Sequence, residues 1–148
     1  MRHNTKTHLW TIGLLASMAW PALADGPKAL DVTVDDLLAA GVAGVTEVAP
    51  AGDRFAPPMR YFRSSEKLSD ADARKDCADC ADLIAVYAAD VATVPGWTTE
   101  KIQQFQKVGS RLQLRTYIPA TRRVVTVTAV SEATMRKISA QLVAKFSK

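Results

Sequence analysis

The sequence predicts a small α+β domain, an antiparallel sheet with helices packed on one face, in the rough order α-β-β-α-α-β-β-α. Two patterns carry that expectation. Apolar residues recur at helical steps of three and four over residues 34–38, 73–94, 102–108 and 135–146. They alternate with polar residues, or run β-branched, over 42–48, 59–65, 111–118 and 124–130. Helices and strands mixed in this way along a short chain pack as two layers around one core.

Ahead of the domain, residues 1–24 read as a cleavable secretory signal. Arg2 and Lys6 make a positive start without an acidic residue, and Leu9 to Trp20 is a mostly apolar run of 12 residues. Pro21 breaks that run, and Ala22-Leu23-Ala24 places small residues where a signal peptidase reads. The run falls short of the roughly 20 apolar residues that span a bilayer. An uncleaved anchor is the alternative. No cysteine follows the run for lipid attachment, and no paired arginine precedes it. Cleavage leaves residues 25–148 as a single domain of 124 residues, periplasmic or secreted, with no stable membrane insertion. Such a length buries a core without a disulfide framework.

Residues 25–33 form a polar lead-in. Thr33 and Asp36 fit a helix-start box, and Val34, Leu37 and Leu38 suggest a short helix ending near Gly41. Val42 to Val48 is a strand weakened by Gly44. Pro50 to Pro58 is a loop, and Met59 to Ser65 is a second strand. Ser69 can cap a long helix with Asp72. Its stripe of Ala73, Cys77, Cys80, Ile84, Tyr87, Val91 and Val94 continues to about Thr93, before Pro95-Gly96. Trp97 and Ile102 then fit a staple for a further helix, with Phe105 and Val108 on its inner face and Gly109 as its stop. Arg111 to Ile118 alternates, Pro119 to Arg123 is a turn, and Val124 to Val130 completes an antiparallel hairpin. Ser131 caps a last helix striped by Met135, Ile138, Leu142 and Phe146.

Composition excludes several chemistries. Both histidines, His3 and His8, lie in the signal, so the exported domain has none. That removes Ser-His-Asp and Cys-His catalysis, which need an imidazole base. Two cysteines without histidine do not make the usual zinc ligand sets, and Ala81 after Cys80 breaks the haem-attachment motif. No cofactor and no metal site is expected.

Cys77-Ala78-Asp79-Cys80 is the sharpest motif. The expected mid-helix position, with Asp76, Asp79 and Asp82 nearby, disfavours a thiolate, because carboxylates raise a thiol pKa. A structural Cys77–Cys80 disulfide is favoured over two buried thiols and over a redox or soft-metal pair. Ser64-Ser65-Glu66-Lys67 matches the S-x-x-K of serine enzymes but lacks their companion motifs. Asp72, Asp76 and Asp79 would share a helix face, without the loop of oxygen ligands that calcium needs.

Charge is unevenly placed. Residues 25–100 carry 7 basic and 14 acidic residues, whereas residues 101–148 carry 10 basic residues and only Glu132. The expected binding residues are Arg115, Arg122 and Arg123 of the hairpin with Arg136 and Lys137 of the last helix. Lys145 and Lys148 extend this basic surface. The partner is a protein or an anionic envelope component. Nucleic acid fits poorly with export and with Tyr117 as the segment's lone stacking aromatic. Alternatively, the acidic and basic halves cancel within the molecule. The function expected is non-enzymatic binding; a thiol–disulfide or electron-transfer accessory built on Cys77 and Cys80 is the competing class.

Overall fold

The computed structural model describes residues 31–48, 59–76, 79–109 and 111–148. The expected signal segment, the start of the lead-in, the expected 50–58 loop and Cys77 lie outside the described residues. Helix α1 (Val34–Ala39) leads to strands β1 (Thr46–Val48) and β2 (Arg60–Arg63), and helix α2 (Asp70–Asp76) precedes β3 (Leu83–Asp90). Then come β4 (Gln103–Val108), β5 (Arg111–Ile118), β6 (Arg123–Thr128) and helix α3 (Glu132–Phe146). The strands form one six-stranded sheet in the order β1-β2-β3-β6-β5-β4. Every pairing in it is antiparallel. The domain is α+β.

Directly paired residues of an antiparallel sheet project to the same side, so the register sorts the side chains. One face carries Phe62, Ile84, Val86, Leu114, Ile118, Val125 and Val127, all nearly inaccessible to solvent. Helix α3 lies against β5 and β6 on this face and buries Met135, Ile138 and Leu142, while Leu37 of α1 joins the same core. Burying such a side chain stabilises by about 1.5–3 kcal/mol. Thr116 and Ser139 share a hydrogen bond inside this interface, which answers the polar groups that burial strips of water.

All three predicted caps are used, and at α2 Ser69 Oγ accepts from Asp72 N–H at 3.2 Å. Thr33 N–H donates to Asp36 Oδ2 at 2.8 Å, and Ser131 Oγ accepts from Thr134 N–H at 3.2 Å. The expected hairpin is present as β5 and β6, with Arg122 turning at φ +54°. The first predicted strand is shorter than expected. Val42 and Val45 are buried ahead of it, and Gly44 turns at φ +63° where a Cβ would meet Ser65 Cβ at 3.1 Å.

The two middle helices need correction, and with them the predicted order. The stripe from Ala73 to Val94 is not one helix: α2 stops at Asp76, and Leu83–Asp90 is β3, inserted between β2 and β6. An apolar run as dense as LIAVYAAD satisfies a period of two as readily as one of 3.6. Ile84 and Val86 face the core, Tyr87 the opposite side, and pairing on both edges decides for strand. The helix expected after Trp97 is β4. Its Phe105 packs on the core while Ile102 and Val108 are exposed, because a strand sends residues three apart to opposite faces. Gly109 does adopt a positive φ of +62°, but it serves the tight β4–β5 turn.

Candidate functional site

On the sheet face opposite α3 the register aligns polar side chains, of which Thr126 and Thr128 are buried and the others partly or fully exposed. Gln104, Arg115, Thr126 and Tyr87 form one row across β4, β5, β6 and β3. Gln106, Gln113, Thr128, Ala85 and Tyr61 form the next. One end of the face is closed by Val91, Val94 and Trp97, which pack on Tyr117 and Val124. Among the described residues four buried side-chain atoms have no hydrogen-bond partner: Arg115 Nε and Gln106 Oε1 on this face, Trp97 Nε1 at its closed end, and Arg60 Nε on the core-facing side of β2. Buried polar groups in native folds are nearly always satisfied.

The structure distributes the expected basic residues rather than pooling them. Arg115 is half-buried on the open face. Arg122 is exposed in the β5–β6 turn, with its carbonyl held by Val91 N–H at 3.0 Å. Arg123 begins β6 beside Asp90. Arg136 and Lys137 stand exposed on α3, on the other side of the sheet from Arg115. Arg136 donates to Glu132 through Nε and Nη2 at 2.9 and 2.7 Å, with its guanidinium 4.8 Å from the Phe105 ring centroid. Lys145 is drawn to Asp36 and the Asp31 carbonyl, both at 2.7 Å. This last pair does join the basic and acidic halves.

Cys80 lies in the turn between α2 and β3, not in mid-helix as expected. Arg111 Nη1 donates to its carbonyl at 3.3 Å and Nη2 to the Leu83 carbonyl at 3.2 Å, which pins the turn to the start of β5. No described cysteine is a free thiol. Asp79 lies beyond the end of α2, so it shares no helix face with Asp72. Among the described residues no cluster of metal-ligating side chains occurs. In the S-x-x-K motif, Ser64 is buried and donates to the Glu66 carbonyl at 3.3 Å, while Lys67 is exposed.

A cavity of about 520 Å³ opens where β6 leaves the sheet for α3, with Lys75, Lys107 and Arg111 on its walls beside Asp72 and Glu132. Hydrogen bonds from Ser69 and Lys75 hold the Asp72 carboxyl below its usual value, so it stays charged. Glu132 is committed to Arg136.

The open face could not be read from the sequence. Arg115 was visible as a basic residue, but Tyr87 and Gln106 were assigned to helices, and the register alone brings them beside it. Among the described residues no helix is long and apolar enough to cross a membrane. Comparison with known protein families, with curated proteins and with solved structures finds no match to this chain.

Proposed function

We propose that the chain is an exported, non-enzymatic binding domain whose contact surface is the sheet face opposite α3, centred on Arg115. Its partner is a protein or an anionic envelope component. The observation that carries this reading is the row that the register builds across this face, Gln104, Arg115, Thr126 and Tyr87, with the Arg115 guanidinium at its centre. A guanidinium offers a forked donor to carboxylate or phosphate oxygens, and tyrosine adds contact area with little entropy to lose. The basic excess of residues 101–148 supports an anionic partner. The apolar and small-residue pattern of the first 24 residues supports a periplasmic or secreted location.

The test is site-specific photocrosslinking in the intact envelope, with benzoylphenylalanine at Tyr87 on the open face or at Ala140 on α3. An adduct from Tyr87 that weakens in Arg115→Glu and persists in Arg136→Glu supports the assignment. Protease treatment then separates a protein partner from another envelope component. Adducts confined to Ala140, or indifferent to Arg115→Glu, overturn it.

Cys77–Cys80 belongs to this proposal as a structural bridge at the α2–β3 junction. The pair follows the C-terminal end of α2. Redox-active pairs use a helix N-terminus, where the dipole stabilises the thiolate; the opposite end disfavours it.

A further inference from the structure

We propose that β4 is a self-association edge, and that two copies of the chain pair their β4 strands antiparallel about a two-fold axis through Phe105. This edge borders the Arg115 face, and Gln104 and Gln106 belong to both.

Among the described residues β4 ends the sheet and has β5 as its neighbour on one side alone. Tyr117 N–H donates to the Ile102 carbonyl at 2.8 Å, which sets the alternation along the strand. Residues 104, 106 and 108 turn their backbone groups toward β5, while Gln103, Phe105 and Lys107 turn theirs outward. Natural sheets guard such an edge with proline, bulges, inward charges or lysines. From Gln103 to Val108 there is no proline, the register with β5 is unbroken, and Lys107 is the single charge.

The side chains are self-complementary in one register. Centring the axis on Phe105 sets Phe105 against its own copy, Gln103 against Lys107 and Gln104 against Gln106. One step beyond, Ile102 meets Val108 at both ends. These two are among the exposed large apolar residues of the fold, at 57% and 48% accessibility. No like charges oppose each other in this register, and Arg136 above each Phe105 ring is already paired with Glu132. The outward groups of Gln103, Phe105 and Lys107 then bond directly to their opposites, and α3 of both copies lies on the same side of the joined sheet. Centring on Gln106 instead sets Phe105 against Lys107 and Val108 against Gln104, which wastes the apolar contacts. A partner of unrelated sequence would not need this symmetry; a second copy does.

Sedimentation equilibrium on the purified protein reads the outcome, with circular dichroism and thermal midpoint as controls on folding. The unmodified chain is expected to dimerise in a concentration-dependent way. Replacing Ile102→Lys with Val108→Lys places like charges opposite at both ends, so the dissociation constant rises about tenfold or more. Replacing Ile102→Glu with Val108→Lys places opposite charges there and restores association. Both positions are exposed, so folding is retained. A chain that stays monomeric at its solubility limit, a dimer indifferent to the double lysine variant, or failure of the Glu/Lys pair to rescue it overturns the proposal.

Discussion

Lys145 Nζ stands 2.7 Å from Asp36 Oδ2, and this ion pair ties the last turn of α3 to the first turn of α1. Asp36 is 8% exposed, and it also receives the Thr33 N–H. Burial alone would raise its pKa. The hydrogen bonds from Lys145 and Thr33, with the Lys145 charge, outweigh that and hold the carboxyl below its usual value.

A carboxyl whose folded pKa lies below its unfolded one stabilises the fold above the unfolded pKa of about 4, and that contribution fades as pH falls through the folded value. Lys145→Met should therefore move the acid-unfolding midpoint to higher pH. At neutral pH it should cost about 1–3 kcal/mol, because a largely buried carboxylate loses its charged donor. Urea unfolding followed across pH 3–7 checks both statements. An unchanged acid midpoint would show that the pair contributes nothing.

Thr116 and Ser139 bond to each other in the helix–sheet interface. Thr116→Val strands the buried Ser139 hydroxyl and should cost about 1–3 kcal/mol, while Ser139→Ala should cost less because Thr116 Oγ1 still accepts from Gln103 Nε2 at 3.3 Å. The double variant should cost clearly less than the sum. Additive losses in a double-mutant cycle would mean that the hydroxyls act independently.

Gly109 turns β4 into β5 at φ +62°. Gly109→Ala should cost roughly 1–2 kcal/mol, since a Cβ is penalised in the left-handed region. Gly109→Asn should cost less, as asparagine tolerates that region. Equal thermal midpoints for the two variants would contradict this explanation.

For the proposed Cys77–Cys80 bridge, a four-residue loop supplies about 2 kcal/mol by the chain-entropy argument. Cys77→Ser with Cys80→Ser should lower stability by that order and leave a folded domain. The bridge should have a reduction potential below about −300 mV, as structural disulfides do. Ready exchange with a periplasmic oxidant would return the pair to redox chemistry.

The ends of the domain were legible in the sequence because local signals there agree with the tertiary arrangement. Thr33 with Asp36 and Ser131 with Thr134 mark helix starts, and alternation from Arg111 to Ile118 followed by a turn marks a hairpin. The strand at Arg60–Arg63 and the helix start at Ser69 were legible too, but the stretch from Leu83 to Val108 was not. Ile84, Tyr87 and Val91 lie at helical spacing, yet Tyr87 pairs with Thr126 and Ile84 with Phe62, contacts set by residues far along the chain. Two β-branched residues in Ile84-Ala85-Val86 and the Pro95-Gly96 break were the available hints of a strand. The candidate site shared this fate. Arg115 was named from its charge, but its place beside Tyr87 and away from Arg136 follows from strand order.

That strand order has a temporal side. β6, the last strand to be synthesised, is the one wedged between β3 and β5. Until Arg123–Thr128 is available, the β1-β2-β3 meander and the β4–β5 hairpin have no edge in common, and α3, which completes their core, comes later still. A chain emerging from its N-terminus thus holds two fragments without a shared core until nearly its whole length is present. Closure of the sheet waits on distant segments meeting, which slows folding.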